Sequence, residues 1–156
     1  MSQDKAFWDR IARKYAQDPI ADQASYEHKL EKTREHFTPD SRVLEYGCGT
    51  GSTAIQHAPY VGELIATDLS DAMIEIARER AAEAGVNNVH FAACDVADLD
   101  EPDASFDAVL ALNVLHLVPD RLAAMSLSHD LLKPEGVFVT STACLGDGMA
   151  FLGLIK

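Results

Sequence analysis

Apolar and polar positions along this chain change period several times, and each change marks an element. In KAFWDRIARKYA the residues Phe7, Trp8, Ile11, Ala12 and Tyr15 recur at helical spacing. They predict a helix with a narrow apolar face, ended by Asp18-Pro19 because proline cannot continue a helix and restricts its predecessor. A second amphipathic helix is predicted from about Gln23 to Phe37, stopped at Thr38-Pro39. Short apolar runs then alternate with helical stretches. Arg42–Tyr46, Glu63–Thr67, Val89–Ala93, Phe106–Leu112 and Val137–Ser141 read as strands. Ser52–His57, Asp71–Ala84 and Pro119–Leu132 read as helices, the last stopped by Lys133-Pro134-Glu135-Gly136.

Strands alternating with helices imply βαβ crossovers, hence an α/β fold with a doubly wound, mostly parallel sheet. Sheets of this kind bind ligands beyond the carboxyl ends of their strands, near a reversal of strand order. No internal repeat or low-complexity segment interrupts the pattern. The final GDGMAFLGLIK is apolar and opens a helix with nowhere to go, so the sequence reads as truncated or as part of a longer protein.

At 156 residues the chain is one domain, large enough to bury a core. No apolar run reaches the length of a membrane span, and the N-terminus lacks the apolar segment of a secretory signal, which makes a cytoplasmic location the expectation. Cys48, Cys94 and Cys144 lie far apart with no CxxC spacing, which argues against a disulfide framework or a zinc site. The net charge is -12 and is unevenly spread. Up to His36 seven basic residues balance seven acidic ones, and beyond it 18 acidic residues face 6 basic ones. That surface repels phosphate backbones, so nucleic acid and anionic membranes are poor partners, while a neutral or cationic small molecule is accommodated.

The chemistry concentrates in Val43-Leu44-Glu45-Tyr46-Gly47-Cys48-Gly49-Thr50-Gly51-Ser52, a strand, a glycine-rich turn and a helix start. Glycines let a ligand approach the backbone, and helix-start amides face it as donors. A dinucleotide loop reads GxGxxG, but here the third glycine, Gly51, comes one residue early. Glu45, two residues before Gly47, would sit badly beside a pyrophosphate yet can hold an ammonium, directly or through water. S-adenosyl-L-methionine carries an amino-acid ammonium, a sulfonium and no phosphate, and the loop favours it. Asp68, ending the second strand, can accept from both ribose hydroxyls; as a helix N-cap it competes with Ser70 and Asp71. After the third strand, Asp95 can accept the adenine amino group while the Val96 amide donates to a ring nitrogen, or Asp95 simply faces water. Leu69 and Met73 fit either adenine walls or helical core positions.

Together, VLEYGCGTGS, LIATDLSDAMIEIARERA, FAACDVADL, FDAVLALNVLHLVPD and LLKPEGVFVTS resemble the successive motifs of class I, Rossmann-like S-adenosylmethionine-dependent methyltransferases of small molecules. The resemblance spans roughly Arg42 to Ser141. It implies a seven-stranded sheet of order 3-2-1-4-5-7-6, of which the last strands are missing from this sequence. It also implies cofactor contacts at Glu45, Gly47, Cys48, Gly49, Gly51, Asp68, Asp95, Val96 and Asn113. FWDRIARKYA is similar to the lid helix of many members, which divides the chain into N-terminal lid helices (1–37) and an S-adenosylmethionine-binding α/β domain (38–156). By that analogy Tyr15 hydrogen-bonds the cofactor carboxylate with Trp8 and Lys14 nearby; the plain alternative is an amphipathic helix packing Trp8 and Tyr15.

Methyl transfer requires alignment and exclusion of water, and a base where the acceptor is a hydroxyl or protonated amine. His116, after the fourth strand, is the candidate base, against a packing or capping role. His28 and His36 suit surface positions better than an acceptor pocket, and no ligand cluster marks a metal site. The expected function is methylation of an O, N or C atom of a small-molecule acceptor, with S-adenosyl-L-homocysteine as product. A non-catalytic S-adenosylmethionine-binding module, a nicotinamide-dependent oxidoreductase and a protein methyltransferase are the rivals. The oligomeric state is not legible.

Overall fold

The computed structural model describes residues 3–142. Helices α1 (Gln3–Tyr15) and α2 (Gln23–Arg34) lead the chain. They are followed by β1 (Arg42–Tyr46), α3 (Ser52–His57), β2 (Glu63–Asp68), α4 (Asp71–Glu83) and β3 (Val89–Ala93). The series closes with β4 (Phe106–Leu112), α5 (Arg121–Leu131) and β5 (Leu132–Ser141). The strands form one sheet in the order β3-β2-β1-β4-β5, each neighbouring pair parallel. The α/β sheet expected from the alternation is present, in the order expected of its first five strands. Cys144 and the apolar GDGMAFLGLIK lie outside the described residues.

The chain winds outward from β1 through β2 to β3, then returns to the other side of β1 for β4 and β5. Right-handed crossovers therefore lay the helices on opposite faces. Val43, Leu64, Ala66, Ala108 and Leu110 pack against Ala54, Ile74, Ala77 and Ala81 of α3 and α4. The alternate residues Leu44, Ile65, Phe106, Val109 and Ala111 pack with Leu131 and Leu127 of α5. Burial on both faces explains why these strands read as unbroken apolar runs rather than alternating ones.

Several boundaries differ from the sequence reading. β5 starts at Leu132, not Val137, because Lys133–Gly136 is a bulge in the strand rather than a turn before it: Leu132 pairs with Phe106, Val137 with Ala108, and Glu135 takes a left-handed φ of 67°. Lys133 anchors the bulge on Asp107 at 2.9 Å, and bulges are where a sheet tolerates proline. α2 gives way at Arg34 to a tighter turn in which Phe37 N–H donates to Arg34 O. α5 begins at Arg121 because Asp120 caps it, accepting from the Ala123 amide at 2.9 Å.

Helix α1 lies on α4 and is clasped there by polar contacts. Ala12 is buried against Met73 and Ile76. Asp9 accepts from Ser70 Oγ at 2.6 Å and from the Ala72 amide at 3.2 Å, and Lys5 bridges Asp9 and Asp71. The Ser70 hydroxyl, then Lys5, hold the Asp9 carboxyl down to about 2. Arg80 of α4 reaches both Ala16 O and Thr50 Oγ1, tying the end of α1 to the glycine turn. α2 rests on α3 through Tyr26 with Thr53 and Arg34 with Gln56 O. Beneath it His57 is fully buried, edge-on to Phe37 at 5.2 Å.

Burial, reinforced by the Arg34 and Lys29 cations, lowers the His57 pKa to about 4. The unfolded chain takes up this proton below its ordinary value of 6.5 and the folded chain does not. Its contribution is therefore complete above pH 6.5 and is lost as the pH falls to 4. Urea unfolding at a series of pH values should show His57→Leu losing less stability than the wild type across that window, by on the order of 3 kcal/mol.

Candidate functional site

The carboxyl ends of β1, β2 and β4 and the loop after β3 open into a cleft of about 1020 Å³, with α1 and α2 contributing its outer wall. This is where a reversal of strand order leaves a crevice. Of the cofactor-binding and catalytic residues predicted from sequence, Gly51 and His116 lie outside its lining and the rest line it.

The glycine turn is built against neighbouring elements. The Cys48 amide donates to Thr67 O at 2.9 Å, and the Gly49 amide to Asp68 Oδ2 at 2.9 Å. Asp68 Oδ1 accepts from the Ser70 amide, also at 2.9 Å, so one carboxylate fixes the turn to the end of β2. Helix α4 is capped by Ser70, whose Oγ accepts from the Met73 amide, which leaves Asp68 outside the capping role. Burial raises the Asp68 pKa, and the amides of Ser70 and Gly49 oppose the rise.

The three glycines are not equivalent. A side chain at Gly47 would collide with Val114, and a Cβ at Gly51 would lie 2.8 Å from Ala77 Cβ and 2.9 Å from the Phe91 ring. Gly51 thus belongs to the packing of α3 on α4 and β3. Gly49 has φ +54° and nothing within 4 Å of where a Cβ would be, so it faces open cleft.

Behind this turn Glu45 is 3% exposed, and its Oε2 has no hydrogen-bond partner among the described residues. Burial pushes its pKa up to about 8, and the charge of Lys29 partly offsets the shift. An interior carboxyl facing a cleft without a partner is costly to hold there. Cys48 is buried beside Gly49 O with its pKa raised by desolvation, which describes an inert thiol.

Further along the rim, Asp95 is exposed and caps a short 3-10 turn by accepting from the Ala97 amide at 3.0 Å, with Val96 half-buried next to it. Leu69 is 39% exposed, whereas Met73 is 2% exposed and is wedged mainly between α4 and α1. Asn113 takes a left-handed φ of 56°, and its amide donates to Ser141 O at 2.8 Å. Tyr15 is half exposed and meets Trp8 edge-on at 5.9 Å, and both line the cleft. His116 is exposed on a 3-10 turn and does not join the other residues, and Lys14, His28 and His36 also lie outside the lining. The sequence reading passed over Tyr26 and Lys29, which line the cleft from α2. Their one sequence signal is the helical stripe Tyr26, Leu30 and Thr33, on which a lysine is out of place.

The family described as methyltransferase domain matches residues 43–136. The chain belongs to this methyltransferase family. It is 37% identical over 100 residues to the uncharacterized methyltransferase YcgJ of Bacillus subtilis, covering 64% of this chain and 40% of that protein. It is also 37% identical over 105 residues to the ubiquinone biosynthesis O-methyltransferase of Xanthomonas campestris, covering 67% of this chain and 44% of the relative. Among solved structures it resembles the [4+2]-cyclase SpnF with a TM-score of 0.79 and 25% identity, over 88% of this chain and 58% of that one. The chain spans less than half the length of the two curated relatives. No helix among the described residues is long and apolar enough to cross a membrane.

For this methyltransferase-family cleft, alanine at Gly49 and at Gly51 should behave differently. Both substitutions incur the left-handed backbone cost of about 1–2 kcal/mol. Gly51→Ala adds roughly 1–3 kcal/mol of overpacking against Ala77 and Phe91. Denaturant unfolding should rank Gly51→Ala well below Gly49→Ala in stability.

Proposed function

We propose that this chain forms the cofactor-binding part of an S-adenosylmethionine-dependent methyltransferase of small molecules, with α1 and α2 (within residues 1–37) as a lid over an α/β domain (38–156). The observation that carries the reading is the unpartnered, buried Glu45 carboxyl behind the open face of Gly49. A cationic amino group draws that carboxyl into its ionised form and satisfies it, whereas a pyrophosphate offers it no positive charge to pair with. When bound, S-adenosylmethionine supplies a methyl group activated by a sulfonium. The protein's own residues position and enclose it.

In this reading Gly47, Cys48, Gly49 and Gly51 shape the turn, Glu45 takes the amino-acid ammonium, and Asp68 accepts from the ribose hydroxyls with the lone pairs that Gly49 and Ser70 leave free. Asp95 and Val96 meet the adenine edge, with Leu69 and Met73 as its walls, and Asn113 faces the methionine portion. Trp8 and Tyr15 on the docked α1 exclude water from the reacting centre. The volume beyond the cofactor residues, toward Ile20, Leu117 and Pro119, receives a small apolar acceptor. The named substrates of the Xanthomonas relative and others like it support a small molecule as acceptor. His116, being outside the cleft, is not assigned the base.

The likeness to a [4+2]-cyclase supports a second reading, that the same frame serves a reaction other than methyl transfer. Incorporation of labelled methyl into an acceptor panel separates the two.

Calorimetric titration with S-adenosyl-L-homocysteine should show binding, NADH should show none, and Asp68→Ala should weaken the first by about tenfold to a hundredfold. NADH binding in its place would establish an oxidoreductase. At pH 7 the free Glu45 carboxyl is protonated, and pairing with an ammonium requires its ionised form. Binding should therefore release close to one proton, read as a heat difference between buffers of unlike ionisation enthalpy. Glu45→Gln should abolish that release.

A further inference from the structure

Only Leu69 and Ser70 join β2 to α4, so the carboxylate that ends β2 is placed by whatever holds this short link. Ser70 is held through both of its polar groups. Its backbone amide donates to Asp68 Oδ1 at 2.9 Å. Its hydroxyl, fully buried, is shared between two partners. The oxygen accepts from the Met73 amide at 3.1 Å, and the single hydroxyl proton goes to Asp9 Oδ1 at 2.6 Å. Asp9 also accepts from the Ala72 amide at 3.2 Å, so a side chain of α1 closes the first turn of α4 from outside it.

Capping alone does not account for Asp9, because Ser70 already supplies the capping oxygen of α4. What Asp9 adds is direction. A serine side chain has three staggered positions, and a proton committed to a carboxylate at 2.6 Å selects one of them. That carboxylate stays ionised, since the Ser70 hydroxyl and then Lys5, at 2.9 Å, hold its pKa down to about 2. Its charge is felt at Asp68, where it adds to the upward shift that burial causes. Asp9 itself lies outside the lining of the cleft.

We propose that Asp9 is a positioning residue for the Asp68 carboxylate: acting through Ser70, it fixes the link after β2 so that the free lone pairs of Asp68 stay turned to a ribose diol. The assignment rests on the S-adenosylmethionine reading given above. Helix α1 then takes part in the nucleoside site through a residue that never reaches the nucleoside.

The test is a double-variant cycle in the whole chain. S-adenosyl-L-homocysteine is titrated calorimetrically into wild type, Asp9→Ala, Asp9→Asn, Asp68→Ala and the Asp9→Ala/Asp68→Ala pair. Asp9→Ala should weaken binding about threefold to tenfold, the range for one hydrogen bond. Asp9→Asn keeps an accepting oxygen and should recover most of that loss. In the pair, Asp9→Ala should add nothing to Asp68→Ala, because a residue acting through Asp68 has no effect once that carboxylate is gone. Ser70→Ala in the same cycle should show the same non-additivity, and it decides the question should Asp9→Ala not fold. Equal affinity of Asp9→Ala and wild type overturns the assignment while leaving the cofactor reading intact. Additive losses in the pair overturn it in favour of a packing role for α1, and so does an Asp9→Asn variant as weak as Asp9→Ala. Failure of wild type to bind overturns the cofactor reading and this assignment together.

Discussion

A carboxylate in the interior at the end of the central strand is the constraint around which this molecule is arranged. Glu45 occupies the last turn of β1, the strand with neighbours on both sides, and it points to the face covered by α3. The side chains alternating with it, Leu44 and Tyr46, belong to the opposite layer, which is apolar apart from the Tyr46 hydroxyl and Ser128. No local hydrogen bond compensates its burial. The protein tolerates the group by keeping it protonated near neutrality and by leaving a cavity in front of it. Stability is given up at that point.

The other features of the site follow from that position. The chain turns sharply after Tyr46, and the turn is secured from β2 by Thr67 O and Asp68, with the Gly51 amide donating to Cys48 O within it. Gly47 and Gly51 are small because Val114, Ala77 and Phe91 press on them from neighbouring elements, while Gly49 is small toward the cavity. The one glycine turn thus meets core packing at two positions and the open cavity at the third.

The N-terminal helices are attached differently from the sheet. Few fully buried apolar side chains anchor them: Ala12 under α1 and Leu30 under α2. Their attachment depends instead on polar contacts to the elements that form the turn, among them Asp9 on Ser70, Arg80 on Ala16 O and Thr50, and Tyr26 on Thr53. Such contacts exchange readily with water and individually stabilise little.

The sequence by itself determined the alternation of strands and helices, the parallel sheet, and the position of the glycine turn with Glu45 before it and Asp68 beyond it. These follow from period, from proline and glycine punctuation, and from short-range spacing, all of which act within a few residues. It did not show that Lys133–Gly136 continues a strand, because a bulge is defined by a partner, here Phe106 and Ala108 of β4. It did not single out Lys29, whose meaning depends on a carboxylate in another element, or set His116 apart from the cleft, because one residue of rotation on a short 3-10 turn decides where a side chain points. Glu45 could be read as a partner for a cation from its place before the glycines, but its isolation could not. Whether a buried charge is paired depends on which distant residues the tertiary structure brings within reach, and that is settled only when the layers close.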